Sequence, residues 1–218
     1  MIMEKNNIPR HIAIIMDGNR RWAEKNGLPS IEGHRQGYEQ FKKIAEHCNK
    51  LGVKILTVYA FSLENWKRNK VEVFYLMNLL RKGLQEQKDY FIKNKIKLNV
   101  MGQIERLPTA LKNLIHKIMK ETENNKKGIL NLAISYGGRE EILAAVKKLL
   151  KERTSPSKLN EKIFSQYLYT FGQPDPDIII RTSGEQRLSG FLPWQTVYSE
   201  LYFSPKLWPD FTEEDLEE

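Results

Sequence analysis

The chain has 218 residues, 40% hydrophobic and 10% aromatic, enough to bury the core of one domain without covalent staples. Its single cysteine, Cys48, excludes an internal disulfide and a cysteine-rich zinc site and suits a reducing compartment. Lys and Arg number 35 against 27 Asp and Glu, and the resulting charge of +8 favours an anionic partner (nucleic acid, phosphate esters or a lipid surface) without choosing among them.

The opening stretch MIMEKNNIPRH has no apolar centre of signal-peptide length, and no apolar run reaches the length of a bilayer span, so a soluble cytoplasmic protein is expected. The first strand is predicted at HIAIIM (11–16); it runs straight into Asp17, Gly18, Asn19, Arg20 and Arg21, where a helix begins near Arg20 that Asp17 could cap. A helix over 36–51 and a strand at ILTVYAF (55–61) follow, then the polar SLENWKR (62–68). The next helix, 71–94, is apolar around most of its first half (Val71, Val73, Phe74, Leu76, Met77, Leu79, Leu80), which suits deep burial or the wall of an apolar tunnel. Beyond it come a strand at IKLNVMG (96–102), a helix over 106–124, a strand at ILNLAIS (129–135) leading into GGRE (137–140), and a helix over 139–152. The surface connection RTSPSKLN (153–160) leads to a helix over 160–170, a strand at DIIIR (177–181) leading into RTSGEQR (181–187), and a strand at ELYFS (200–204). The final FTEEDLEE opens as a helix, with Thr212 as N-cap and Asp215 three residues on. Lysines on these helices, such as Lys42, Lys43, Lys82, Lys88, Lys147, Lys148 and Lys151, read as a solvated face.

Strand-sized runs without polar alternation belong in a sheet covered on both faces. Their alternation with helices predicts an α/β domain with a mostly parallel sheet of about six strands, right-handed crossovers and a ligand site at the carboxyl ends of the strands. That rim collects acids, amides and arginines. An arginine fork matches phosphate oxygens, and a lone carboxylate among arginines can hold Mg²⁺ bridging a diphosphate. Singly, each residue has a plainer reading: Arg68, Arg139, Arg181 and Arg187 as surface arginines paired with acids, Gly137 and Gly138 as turn formers. Their coincidence at one rim favours a diphosphate and magnesium site, and an apolar tunnel beside it suits an isoprenoid. There is no G-x-x-x-x-G-K-[ST] loop, no G-x-G-x-x-G after the first strand and no G-x-S-x-G. Histidines 11, 34, 47 and 116 lack metal-ligand spacing, and His34 alone is expected in a loop with other polar candidates.

The blocks HIAIIMDGNRRWAEKNG, GHRQG, LTVYAFSLENWKR, LNLAISYGGREEI, PDIIIRTSGEQRLSGFLPWQ and YSELYFSPKLWPDF, spanning nearly the whole chain, resemble the cis-prenyltransferases, and within them the bacterial undecaprenyl diphosphate synthases. The resemblance implies one domain over 1–218 that lacks a short basic C-terminal tail, and a homodimer with an apolar tunnel. It also implies Mg²⁺-dependent condensation of isopentenyl diphosphate onto farnesyl diphosphate, giving a cis-polyprenyl lipid carrier for cell-wall synthesis. By the same resemblance, Asp17 is the essential carboxylate near metal and allylic diphosphate, and Gly18, Asn19, Arg20, Arg21 and Trp22 form the pocket wall. Ser30, His34, Ser62, Leu63, Glu64, Trp66 and Arg68 fall on further substrate positions, Asn65 on a catalytic one. Arg181, Arg187, Leu188 and Ser189 fall on the isopentenyl diphosphate site, and Glu200 on a metal-linked carboxylate supplied by a partner subunit. A neutral carboxamide is a poor base, so Asn65 is expected to position groups while a diphosphate oxygen takes the proton. Ser30 stands where the family carries arginine, and Glu32 stands where an apolar residue is common; both should weaken diphosphate binding and raise the substrate KM. Rival readings are a noncatalytic partner subunit, disfavoured by the presence of Asp17, Asn65, Arg181 and Glu200, and an RNA-binding protein, for which no aromatic strand motif exists. No nucleic-acid partner is expected, and a long product should bring the enzyme transiently to the inner face of the membrane.

Overall fold

All six apolar runs form strands, because their Ile, Val and Leu side chains fill both faces of a pleated sheet. They are β1 (His11–Ile15), β2 (Ile55–Ser62), β3 (Ile96–Met101), β4 (Gly128–Tyr136), β5 (Ile178–Arg181) and β6 (Glu200–Phe203). Every pairing is parallel, in the order β3-β4-β2-β1-β5-β6. The computed structural model describes residues 8–218; most of the stretch read for a signal peptide, residues 1–7, lies outside the described residues.

Alternate residues serve opposite faces of the sheet. Ile12 and Ile14 join Ile44, Met77, Leu98, Leu111 and Trp208 in the larger core, whereas Ala13 and Ile15 join Met101, Tyr136, Ile179 and Phe191 in the smaller one. The helices are α1 (Asn19–Lys25), α2 (Ser30–Leu51), α3 (Lys70–Lys93), α4 (Thr109–Thr122), α5 (Gly138–Lys151), α6 (Glu161–Ser165) and α7 (Glu213–Glu217). Among the described residues no helix is long and apolar enough to cross a membrane.

Three boundaries differ from the sequence reading. The second helix starts at Ser30 rather than 36, so His34 is helical and buried, not in a loop. Its first turns carry Gly33 and Gly37, which hide the apolar period yet let α1 dock: a Cβ at Gly33 would lie 2.0 Å from the Asn19 carbonyl oxygen. The helix predicted over 160–170 stops at Ser165. Beyond it the backbone tightens to i→i−3 bonds and the Tyr169 N–H turns to the Glu141 carboxylate at 2.8 Å, a tertiary acceptor that no local pattern reveals. The helix predicted over 106–124 begins at Thr109, because Leu107 is extended before Pro108. At the C-terminus the expected cap is present: Thr212 and Asp215 form a reciprocal capping box.

Candidate active site

The carboxyl ends of β1, β2 and β5 converge on Asp17. Gly18, at φ 109, occupies the N-cap of α1 without a side-chain cap, so Asp17 does not cap that helix and its carboxylate is free for other work. Its backbone is clamped: the Asp17 N–H donates to Thr182 Oγ1 (3.0 Å), and the Asp17 carbonyl accepts from Thr182 Oγ1 (2.7 Å) and from the Trp208 N–H (3.0 Å). The carboxylate accepts from Arg181 Nη2 at 2.8 Å and lies 3.4 Å from Arg21 Nη2. Burial raises its pKa, but the Arg181 hydrogen bond and charge, with Arg21 adding to them, outweigh burial and hold the group below the ordinary aspartate value.

Arg181, only 5% exposed, works as an organiser. Its second terminal nitrogen donates to the Arg187 carbonyl and to Ser189 Oγ (2.8 Å), tying down a loop in which Ser183, Gly184, Ser189, Gly190 and Leu192 all have positive φ. Leu188 anchors that loop in the smaller core. Arg187, 62% exposed, projects instead and pairs with Glu185, which Arg21 also contacts at 3.3 Å. A carboxylate shared by two guanidiniums marks a place that favours an anion.

A second cluster centres on Glu72, which the sequence reading missed. It lies 3.0 Å from His34 Nε2, 2.9 Å from Arg68 Nη1 and 4.0 Å from Arg20 Nε, joining α1, α2 and α3. Desolvation raises the Glu72 pKa, but the His34 hydrogen bond and the charges of Arg68 and Arg20 pull it lower still. Burial pushes the His34 pKa down against the opposing pull of Glu72, so a neutral imidazole donates Nε2–H to the carboxylate. The i,i+4 spacing of Arg68 and Glu72 was the available signal.

The SLENWKR turn closes the same rim. The Ser62 N–H donates to Asn65 Oδ1 (3.0 Å), which leaves the amide Nδ2 free to donate. The Leu63 N–H bonds the Tyr136 carbonyl, Trp66 Nε1 donates to Ser135 Oγ (3.0 Å), and the Arg106 guanidinium stacks over the Trp66 ring at 5.4 Å. Glu64 is exposed, and Trp22 donates to Asp210 (2.7 Å). Ser30 opens α2; Glu32 pairs with Arg35 (2.8 Å) on the surface, so its charge is matched rather than turned on the rim. Arg139 is exposed on the first turn of α5, with no partner among the described residues.

Glu200 does not join Asp17 within the chain. It is in register with Ile178, whereas Arg181 is in register with Phe203, so it sits about 10 Å farther down the sheet, exposed on the edge strand. Below the rim an apolar cavity begins at Met16, Asn19 and His34 and descends between α2, α3 and the sheet past Ala60, Leu80 and Leu132. A larger cavity continues from it; the two share Phe41, Gln87, Phe91 and Leu130.

An anion-seeking rim above an apolar passage has the two halves that a prenyl diphosphate requires. Residues 15–218 match the prenyltransferase family model described as "Putative undecaprenyl diphosphate synthase". An isoprenyl transferase of Clostridium perfringens is 47% identical over 99% of this chain and 87% of its own length. Among solved structures, lavandulyl diphosphate synthase from Lavandula x intermedia in complex with dimethylallyl diphosphate superposes with a TM-score of 0.91 at 38% identity, covering 96% of this chain and 92% of that one. A probable undecaprenyl diphosphate synthase from Campylobacter jejuni gives 0.79 at 34% identity over 97% and 92%. The chain belongs to the undecaprenyl diphosphate synthase family of cis-prenyltransferases, and it is an enzyme that transfers prenyl groups.

Proposed function

We propose that the enzyme condenses isopentenyl diphosphate onto farnesyl diphosphate, with Mg²⁺, to make undecaprenyl diphosphate. The observation that carries this reading is the Asp17 carboxylate held between Arg181 and Arg21 at the head of the apolar passage. Asp17 would hold the cation: its carboxylate, an oxygen donor kept below the ordinary aspartate pKa at the rim, suits a hard divalent ion. When bound, Mg²⁺ would neutralise charge building on the departing diphosphate.

The chain's own residues do the rest. As the allylic C–O bond breaks, its electron pair leaves with the diphosphate, and Arg20, Arg21 and Arg187 meet the growing negative charge. The isopentenyl double bond attacks the allylic carbon, and one proton must leave the adjacent carbon. Asn65, its Oδ1 already occupied by the Ser62 N–H, donates through Nδ2 and positions substrate, which supports a diphosphate oxygen as proton acceptor. The apolar passage takes the lengthening tail and excludes water.

We also read the protein as a homodimer. Val197 and Tyr198, 70% and 96% exposed in the turn before β6, and Leu201 on it flank Glu200 at the outer edge of the sheet, a surface that favours a second copy and would let Glu200 act across the interface. A transient stay at the membrane follows from the length of the product.

The test is incubation with farnesyl diphosphate, labelled isopentenyl diphosphate and Mg²⁺, with products resolved by mass spectrometry. A long polyprenyl diphosphate that disappears with Asp17→Ala is expected; an Asn65→Asp variant that accelerates proton loss and shifts the pH profile would overturn the role given to Asn65. A product of other length would overturn undecaprenyl while leaving the reaction class intact.

A further inference from the structure

At the opposite end of the sheet from Asp17, the residues that enter the strands are basic. Arg10 and Lys54 stand side by side at the start of β1 and β2, where the Lys54 N–H bonds the Arg10 carbonyl at 3.0 Å. One step further out, Lys95 and Lys127 precede β3 and β4 and are joined in the same way, the Lys127 N–H bonding the Lys95 carbonyl at 3.0 Å. Adjacent strands are about 4.8 Å apart, so these side chains form a row across β1-β2-β4-β3, extended by Lys93 and Lys126. All six are exposed, and none has an ion-pair partner among the described residues. Nearby acids are largely matched by other lysines: Glu39 by Lys42 (2.6 Å), Glu46 by Lys50 (3.0 Å), Glu121 by Lys88 (2.8 Å) and Glu86 by Lys82 (3.7 Å). Asp89 and Glu123 are unmatched acids on that side, and Asp175, Asp177 and Glu200 stand exposed at the entry to β5 and β6, so the positive row is confined to the β1-β2-β4-β3 part of the base.

The larger cavity opens beside this row. Lys54, Ile96, Gly128 and Ile129 belong to its lining and to the base of the sheet, and the exposed Lys43 stands at its mouth. Ile92, on the last turn of α3 between buried Phe91 and Lys93, is 44% exposed at the same end. A row of unpaired cations beside the cavity mouth, whose own Glu39, Glu46 and Glu86 are matched by lysines, with an exposed isoleucine at the same end, matches an anionic headgroup layer over hydrocarbon better than it matches a nucleic acid, which asks for exposed aromatic platforms.

We propose that the base of the sheet docks on an anionic lipid bilayer, with the mouth of the lower cavity facing the membrane. The charge attracts, Ile92 seats, and the passage that starts at the diphosphate rim ends at hydrocarbon. The direction of product transfer rests on the polyprenyl reading above; the docking itself does not.

The test is vesicle co-sedimentation of the full chain without substrate. Expected is binding to phosphatidylcholine vesicles containing phosphatidylglycerol, none to phosphatidylcholine alone, and loss at high salt. The Lys95→Glu, Lys126→Glu, Lys127→Glu variant should bind at least a hundredfold more weakly, since each surface lysine contributes about fivefold. A variant with the same change in net charge at the rim end, Lys25→Glu, Lys67→Glu, Lys70→Glu, should keep most of the binding. Equal loss in both variants, or no vesicle binding by the parent, would overturn the proposal, as would face-specific binding to single-stranded RNA that exceeds the vesicle binding. Because no substrate is present, failure here leaves the reading of the prenyl transfer untouched.

Discussion

The two ends of the sheet carry positive charge in opposite ways. At the carboxyl rim most arginines are held by partners: Arg181 by Asp17, Arg187 and Ser189, Arg21 by Ser183 and Glu185, and Arg68 by Glu72, while Arg139 stands unpaired among the described residues. At the base the cations stand exposed and unmatched among the described residues. The rim is preorganised, so a small dianion arriving there finds donors already oriented, and the cost of ordering them was met in folding. The base offers a diffuse field, weak per residue and sensitive to salt, suited to a broad surface rather than to one molecule.

The largest break in that contrast should come from Asp17→Ala. With the carboxylate gone, buried Arg181 loses its ionic partner; prenyl transfer should fall by about a thousandfold or more, followed by labelled isopentenyl incorporation, while vesicle binding stays at the parental level. Next is Gly33→Ala. The new Cβ would meet the Asn19 backbone oxygen at 2.0 Å, so α1, which carries Arg20 and Arg21, must shift. A loss of about 1–3 kcal/mol in urea unfolding, with reduced transfer, is expected.

Acid should weaken the rim while leaving the base charged. Burial holds the pKa of the rim residue His34 below that of a free imidazole, so below pH about 6.5 the unfolded chain takes a proton first. Stability present above that pH is then lost as pH falls, and Asp17 and Glu72, whose pKa values are also lowered, extend the loss below the ordinary carboxylate range. Urea midpoints at pH 7.5 and 5.5 should differ in that direction; equal midpoints would refute the assignment. The smallest effect is Ser30→Arg, which adds a guanidinium at the start of α2 and should lower the KM for substrate by up to about fivefold in steady-state assays. An unchanged KM would remove Ser30 from the site.

Much of this molecule was legible in one dimension. Strands are short apolar runs, and their period needs no partner to be seen, so all six were placed within a residue or two. The candidate rim positions were legible because a parallel sheet delivers the residues after its strands to one rim, and Asp17, Ser62 and Arg181 stand at such ends. Glu72 escaped because it lies one turn into α3 and matters only through side chains that α1 and α2 bring to it. Thr182 escaped because its hydroxyl clamps backbone rather than substrate.

What the sequence by itself determined was the architecture, the family and the chemical character of the rim: these follow from periodicity and from which residues come next in the chain. What only the tertiary structure decided was how charge is shared in space. It set Arg181 as an organiser and Arg187 as the projecting cation, moved Glu200 away from Asp17, matched Glu32 to Arg35, and gathered Arg10, Lys54, Lys95 and Lys127 into one row. Distances between residues far apart in sequence decide those roles. They exist only after the strands have paired and fixed their register.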